Sequence, residues 1–264
     1  MFAVARSRRA RPSLMHLALA MCALSSTTLF AAAPAHAGEG IQVTWLGHAA
    51  FEIVSPAGTK LLIDPFISKN PTTPADKKDL ALYKPDAILV SHSHGDHEGD
   101  TVEIAKKSGA MVVGAFDHIG PMAIPDTQKM GGNVGGKIVV KELEVHLVPA
   151  IHGSDPGGRP LGYVIKFPGG KTIYHSGDTW IFSDMALIQE IHKPTILLLN
   201  VGGGPYTQDP KTAALAVKKY FKPKTIVPMH FGTFPPLAKE EDVKAAFKGD
   251  RRLVVLTPGQ PASM

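Results

Sequence analysis

The chain has 264 residues, with 28 Lys and Arg against 23 Asp and Glu, and a formal net charge of +5. Four of the Arg lie within the first 37 residues, which contain no acid, so the remainder carries 24 basic against 23 acidic side chains. This near-neutral balance gives no support for a nucleic-acid partner. The single Cys, Cys22, also lies in the first stretch, which excludes a disulfide or a thiolate ligand in the remainder.

Residues 1–37 have the pattern of a secretory signal peptide. The Arg-rich start is followed by a mostly apolar stretch at 14–33 and a small-x-small cleavage site, Ala35-His36-Ala37. A retained membrane anchor is the alternative, but His16 and the polar run at 25–28 interrupt the apolar stretch. The sequence therefore predicts a signal peptide at 1–37 and one substantial domain at 38–264, exported to the periplasm with no stable membrane span.

Short apolar runs alternate with helix-like stretches along 38–264, which predicts a domain of the α/β or α+β class with helices covering its sheets. The predicted strands are 41–46, 50–55, 60–64, 86–91, 110–114, two within 137–148, 161–167, 171–175, 195–200, 224–229 and 252–256. The predicted helices are 99–108, 184–192, 210–221 and 239–248. Loops are predicted at 71–74 and 131–136, where Pro or Gly is frequent.

Three imidazoles and one carboxylate occur in six residues, His92-Ser93-His94-Gly95-Asp96-His97. Divalent transition metals bind neutral imidazole and carboxylate oxygen, so this run is dense in metal donors. It follows the apolar run at 85–91, which reads as a buried strand. The pattern therefore predicts donors on a loop at the carboxyl end of a strand.

Similar donors recur where later apolar runs end beside Gly. His152 precedes Gly153, Asp178 follows Gly177, and His230 precedes Gly232 by two residues. Each one alone is more often a surface or packed core residue. Together with the cluster at 92–97, they indicate strand-end loops that converge on one metal site.

These residues resemble the metallo-β-lactamase superfamily, and the similarity spans about 41–256. Within it the chain looks like the branch that contains ascorbate-6-phosphate lactonase and the phospholipase D acting on N-acyl-phosphatidylethanolamine. The branch resemblance rests on Trp45-Leu46-Gly47-His48-Ala49, Leu62-Ile63-Asp64-Pro65-Phe66, His175-Ser176-Gly177-Asp178-Thr179 and Pro228-Met229-His230-Phe231-Gly232-Thr233-Phe234.

The resemblance implies an αββα sandwich, in which two facing mixed β-sheets are flanked by helices and metals lie along one edge. It also implies a site for two divalent ions, with zinc as the default and Mn or Fe as alternatives. The implied ligands are His92, His94 and His152 for the first ion, Asp96, His97 and His230 for the second, and Asp178 as the bridge.

Asp96, Asp178 and His48 are the predicted catalytic residues. In the resembling branch, a His at the position of His48 lies near the metals. It is expected to bind the substrate or supply a proton to the leaving group; a purely structural His is an equal alternative.

Several further residues leave two interpretations open. His175 either orients Asp178 or is a packed strand residue, and Asp64 either accepts a hydrogen bond from a ligating His or only shapes a turn. The run Gly202-Gly203-Gly204 favours a flexible loop over an anion cradle. Tyr206 and Phe234 are candidates for an apolar pocket, although aromatics near turns more often pack.

The predicted function is a secreted hydrolase that uses a metal-bridged hydroxide to cleave an ester, lactone or phosphodiester bond of a small molecule. Hydrolysis of a β-lactam or another amide is one alternative. A non-catalytic periplasmic metal-binding protein is the other, although seven donors exceed what binding alone requires. The oligomeric state is not predicted.

Overall fold

A computed structural model describes residues 40–264, so the predicted signal peptide lies outside the described residues. Within this range the strands are β1 Gln42–Gly47, β2 Ala50–Val54, β3 Lys60–Ile63, β4 Ala87–Leu89, β5 Met111–Ala115, β6 Lys129–Gly132, β7 Lys137–Val140, β8 Leu143–Pro149, β9 Leu161–Lys166, β10 Thr172–His175, β11 Ile196–Asn200, β12 Thr225–Met229 and β13 Pro261–Ser263. The α-helices are α1 Gly95–Glu98, α2 Thr101–Ser108, α3 Phe116–Ile119, α4 Met185–His192, α5 Pro210–Tyr220 and α6 Glu240–Ala246.

The strands form two mixed sheets. The first has the order β13-β1-β2-β3-β4-β5-β6, and the second has the order β12-β11-β10-β9-β8-β7. In the first sheet β1 to β3 pair antiparallel and β3 to β6 pair parallel. In the second, β7 to β10 pair antiparallel and β10 to β12 pair parallel. Together with the flanking helices, this confirms the predicted αββα architecture.

Alternate residues of the first sheet enter two different apolar clusters, because successive side chains of a strand point to opposite faces. Leu61 and Ile63 of β3 join the large core that also contains residues of the second sheet. Leu62, between them, joins a smaller cluster with Ile104 of α2. The sheet is therefore covered on both faces, and its parallel strands read as continuous apolar runs.

The helices that flank the second sheet use ordinary start signals and apolar faces. Helix α5 begins with Pro210, and the carboxylate of Asp209 accepts a hydrogen bond from the Thr212 backbone N–H. Val217 of α5 and Ile188 of α4 are buried in the large core. Along residues 40–264, no helix combines the length and apolar character needed to cross a membrane.

The predicted strand at 252–256 is wrong. Only Leu253 forms a bridge, to Ile226 of β12. The Asp250 carboxylate accepts hydrogen bonds from the backbone N–H and guanidinium of Arg252, so Arg252 belongs to a turn rather than to a strand.

The predicted loop at 131–136 is also partly wrong, because its first two glycines belong to β6. A Cβ on Gly131 would lie 2.8 Å from Phe116 Cα. Glycine therefore allows α3 to approach this strand closely.

The two edge strands of the first sheet, β6 and β13, were not predicted from the sequence.

Candidate metal centre

All seven predicted ligands lie just after the carboxyl ends of strands, where β4, β8, β10 and β12 finish. The donors after β4 are His92 and His94, followed by Asp96 and His97 on the single turn of α1 rather than on an irregular loop; β8 is followed by His152, β10 by Asp178 and β12 by His230. The structure brings all seven together, which agrees with the expectation that strand-end loops converge.

A first donor group consists of His92, His94 and His152. Their ligand atoms lie within 4.8 Å of one another. His92 Nε2 is 3.0 Å from His94 Nδ1. His92 is fully buried, whereas His94 and His152 are partly exposed and line an open cavity.

A second donor group consists of His48, Asp96, His97 and His230, whose ligand atoms also lie within 4.8 Å of one another. His230 Nε2 is 3.8 Å from Asp96 Oδ2. The ring of His230 lies 3.8 Å from that of His48, centroid to centroid. The structure therefore places His48 beside the three side chains predicted for the second ion.

Asp178 lies between the two donor groups. Its Oδ2 atom is 3.0 Å from His230 Nε2 and 3.4 Å from His97 Nε2, both of the second group. The same oxygen is 3.6 Å from His152 Nε2, of the first group. With only 3% of its side chain exposed, this carboxylate contacts donors of both groups.

The donor set fits divalent metal ions. His97 Nε2, His230 Nε2 and Asp178 Oδ1 are buried and have no hydrogen-bond partner among residues 40–264. Buried polar atoms rarely remain unsatisfied, so these atoms need a ligand. Donors that bind one tetrahedral ion at about 2.1 Å lie about 3.4 Å apart, close to the separations around Asp178.

Ser91 and Asp64 orient two of these imidazoles. Asp64 Oδ2 accepts hydrogen bonds from the Ser91 hydroxyl at 2.6 Å and from His97 Nδ1 at 2.8 Å. Because the only hydroxyl proton of Ser91 is used on Asp64, His92 Nδ1 donates to Ser91 Oγ at 3.0 Å. Both His92 and His97 therefore present Nε2 to the metal centre.

Burial and the neighbouring ionisable groups shift the pKa values of the donors in different directions. Burial and the neighbouring His97 lower the pKa of His92 to about 2, so His92 is neutral and able to ligate. Burial opposes charge on His97, but Asp178 and Asp64 outweigh it and raise the pKa of His97 well above its ordinary value. Burial likewise opposes ionisation of Asp178, yet His230 and His97 hold its pKa well below the usual range.

Replacing Asp64 with asparagine is expected to lower metal affinity about 10- to 100-fold, the usual effect of removing a group that orients a ligand. The amide removes the charge opposite His97 and cannot accept from every donor around Asp64. Competition with a fluorescent chelator measures the affinity. Asp126→Asn is the matched control, because Asp126 is a surface carboxylate whose single ion pair within the described part of the chain is with Lys129. If Asp64→Asn binds metal as tightly as wild type, Asp64 only shapes the turn and does not orient a ligand.

His48 lies behind Asp96 rather than in the cavity lining. It is fully buried, and burial together with His230 lowers its pKa to about 4. A carboxylate only accepts, so neutral His48 donates from Nε2 to Asp96 Oδ2 at 2.9 Å and accepts at Nδ1 from Thr233, also at 2.9 Å. This placement favours a role in positioning Asp96 over contact with the substrate.

His48→Ala is expected to keep the bound metal and lower kcat about tenfold, because Asp96 loses the donor that fixes it. His48→Gln, whose amide can donate to Asp96, is expected to restore part of kcat. Metal content and kcat are measured on the same samples. Loss of metal from His48→Ala would instead make His48 a ligand or a structural residue.

His175 is a fully buried strand residue with both ring nitrogens paired. Its Nε2 donates to the Ala49 carbonyl at 3.1 Å, and its Nδ1 accepts from the Gly177 backbone N–H at 3.2 Å. It does not line the cavity. It ties β10 to the first sheet and holds the turn that carries Asp178. His175 is therefore both a packed strand residue and a residue that helps to orient Asp178.

The glycine run after β11 was interpreted from the sequence as a flexible loop, and its packing role was missed. The Ala238 N–H donates to the Gly202 carbonyl at 2.7 Å, and the Gly203 N–H donates to Gln208 at 2.9 Å. A Cβ on Gly202 would lie 2.1 Å from the His230 carbonyl oxygen and 2.7 Å from its Nδ1. Glycine at 202 therefore leaves the space in which His230 sits.

A cavity of about 520 Å³ opens over the metal centre. Its lining contains donors of both groups and Asp178. The lining also contains an apolar wall, made of Tyr206, Phe234, Pro236 and Leu237. The two aromatics named from the sequence as pocket candidates therefore do line it.

Comparisons with known proteins agree with this geometry. A family model described as a β-lactamase superfamily domain matches residues 42–230. The chain is 43% identical over 247 residues to a UPF0173 metal-dependent hydrolase of Anaeromyxobacter dehalogenans, covering 87% of this chain and 89% of that protein.

Solved structures give the same result. Igni18, a metallo hydrolase from Ignicoccus hospitalis, has a TM-score of 0.73 and 33% identity, with 85% of this chain and 98% of that chain covered. The metallo-β-lactamase fold protein YhfI from Bacillus subtilis, at 14% identity and a TM-score of 0.66, covers 85% of this chain and 99% of its own, and shows the fold alone. The chain therefore belongs to the metallo-β-lactamase superfamily and, within it, to the UPF0173 family of metal-dependent hydrolases.

Proposed function

We propose that this metal-dependent hydrolase holds two divalent ions and cleaves an ester, lactone or phosphodiester bond. The observation that carries the proposal is the position of Asp178 Oδ2, within 3.6 Å of donors from both groups. His92, His94 and His152 would hold one ion, and Asp96, His97 and His230 the other. Nitrogen and oxygen donors suit zinc first, and also Mn or Fe.

Bound ions of this kind supply a water-derived nucleophile at neutral pH and polarise the scissile bond. The residues of the chain prepare that chemistry. Ser91 and Asp64 hold His92 and His97 with Nε2 directed inward, and His48 holds Asp96. The apolar wall reduces the number of water contacts within the cavity, which strengthens the electrostatic interactions inside it.

The test is metal-dependent turnover by the purified chain, stripped with a chelator and reloaded with Zn²⁺, Mn²⁺ or Fe²⁺ in turn. The substrates are p-nitrophenyl acetate, an aliphatic lactone, bis(p-nitrophenyl) phosphate and a chromogenic cephalosporin. We expect turnover of at least one of the first three only after reloading. His146→Ala is the matched control, because His146 lies on β8 away from the donors and is expected to keep full turnover.

The two alternatives correspond to other outcomes of the same experiment. Turnover of the cephalosporin alone would replace the proposal with amide hydrolysis. Tight, reversible metal binding with no turnover of the panel would favour a non-catalytic metal-binding protein. Within the superfamily, the segments around His48, Asp64, Asp178 and His230 support the lactonase and phospholipase D branch.

We also propose export to the periplasm after cleavage behind Ala37, with a small molecule rather than nucleic acid as substrate. The Arg-rich start, the apolar stretch and Ala35-His36-Ala37 support export. Amino-terminal sequencing of the periplasmic protein is expected to begin at Gly38. Recovery of the intact amino terminus in the cytoplasm would contradict the location without affecting the proposed reaction.

A further inference from the structure

We infer that the group beside the scissile bond of the substrate is uncharged and apolar, an alkyl or aryl group rather than a sugar or a second anion. This inference rests on the proposed dinuclear site and narrows its substrates. It comes from the two unlike parts of the cavity lining, the metal donors and the apolar wall.

The apolar wall offers contacts to carbon and few to polar groups. Leu237 is 5% exposed, whereas Phe234 is 37% and Tyr206 57% exposed. The wall therefore presents two accessible aromatic side chains and one buried aliphatic side chain. Phe234 is held in place by Phe66 and His48, with ring centroids 6.3 and 5.5 Å away. Its ring is thus positioned before any ligand arrives, which reduces the entropy cost of binding.

The charges of the cavity point in the same direction. Asp96 and Asp178 are the ionisable acids of its lining, and the described residues that line it include neither Lys nor Arg. Two divalent ions against two carboxylates leave positive charge only at the metals. One anionic centre at the reacting bond can therefore be neutralised there. A second anion, placed against the apolar wall, would lose its hydration without gaining a partner.

The volume suits such a substrate. About 520 Å³ lies within the range of roughly 300–1,000 Å³ typical of small-molecule pockets. A sugar phosphate, such as the substrate in the name of ascorbate-6-phosphate lactonase, needs cationic and hydrogen-bonding partners for its phosphate and hydroxyls. The apolar wall provides one phenol hydroxyl, that of Tyr206, so this cavity favours a different class of substrate.

The test uses three metal-binding probes that share a hydroxamate: acetohydroxamic acid, hexanohydroxamic acid and the monohydroxamate of adipic acid. The second and third probes have the same number of methylene groups, but hexanohydroxamic acid ends in a methyl group and the adipic probe ends in a carboxylate. Isothermal titration calorimetry with the zinc-loaded protein measures the Kd of each probe, so the result does not depend on which bond the enzyme cleaves. We expect hexanohydroxamic acid to bind about tenfold more tightly than either of the other two, given the usual gain for burying methylene groups.

Two variants assign the preference to the wall. Phe234→Ala is expected to reduce the advantage of hexanohydroxamic acid to less than about threefold, because the tail loses its aromatic contact. Tyr206→Arg is expected to raise affinity for the adipic probe, since it places a cation near the cavity. Phe116→Ala is the control, because Phe116 is exposed but outside the cavity lining, and it should keep the wild-type preference.

Each outcome separates this inference from the proposed function. Equal affinities of the hexanoic and adipic probes, or tighter binding of the adipic probe, overturn the inference while leaving the dinuclear site intact. Full retention of the preference in Phe234→Ala overturns the assignment to the apolar wall. Failure of acetohydroxamic acid to bind the zinc-loaded protein instead overturns the proposed open metal centre.

Discussion

Replacing Asp178 with alanine is expected to lower kcat/KM by about 1,000-fold or more, the largest effect of any single substitution in the site. Asp178 Oδ2 contacts His152 of the first donor group and both His97 and His230 of the second. Its removal deletes the ligand that the two ions would share. It also removes the carboxylate oxygen that lies 3.4 Å from His97 Nε2 and 3.0 Å from His230 Nε2.

The control for this prediction is Asp184→Ala, a change at an exposed carboxylate before α4 that caps no backbone group. Steady-state kinetics on the substrate found in the panel, with each protein reloaded in the same way, compares the two variants. Circular dichroism of Asp178→Ala verifies that the fold is retained. Activity within about tenfold of wild type would show that Asp178 is not essential to the reaction.

Replacing Gly202 with alanine is expected to reduce activity at least about 100-fold and to lower the free energy of unfolding by about 1–3 kcal/mol. The new Cβ would lie 2.1 Å from the His230 carbonyl oxygen, a backbone atom that cannot rotate away. Relief of this overlap has to move β12 or the loop after β11. Either movement shifts His230 relative to Asp178, 3.0 Å away.

Gly157→Ala is the matched control, because the nearest atom to its new Cβ is 3.5 Å away, an ordinary contact. Thermal unfolding, metal content and kcat/KM are compared for the two variants and wild type. Gly202→Ala with wild-type values for all three would mean that the glycine run does not position His230, and that the close approach is easily relieved.

The convergence of the seven predicted ligands was predictable because each belongs to a local pattern. The cluster at 92–97 places several donors within six residues, and His152, Asp178 and His230 each follow an apolar run near Gly. Since strands that end on the same side of a sandwich bring their following loops together, a one-dimensional pattern was enough to predict the convergence. The helical turn that carries Asp96 and His97 did not change which donors meet.

The contacts that orient the donors were not predictable in the same way, because they join distant positions. The bond from His48 to Asp96 spans 48 residues, and that from Thr233 to His48 spans 185. The role of Gly202 depends on its approach to His230, so glycine was interpreted only as a sign of flexibility. The role of Asp64 was predictable only in part. The sequence indicated that Asp64 could accept a hydrogen bond from a ligating His, but only the structure identifies that residue as His97.

The errors in the fold have a related cause. Residues 252–256 are mostly apolar, yet their pairing with β12 is limited to Leu253 and Ile226. By contrast, Pro261–Ser263 lacks any strand pattern but pairs with β1 at three positions. At the edges of a sheet, tertiary context decides pairing more than local preference does. None of these differences involves a metal donor.

The most direct test of the account is the metal content per chain of the purified mature protein, measured by inductively coupled plasma mass spectrometry in wild type and Asp178→Ala. The proposed dinuclear centre predicts close to two ions per wild-type chain and clearly fewer in the variant. One ion or none in wild type, unchanged in Asp178→Ala, would contradict the shared role of Asp178 and leave a single-metal or non-catalytic site.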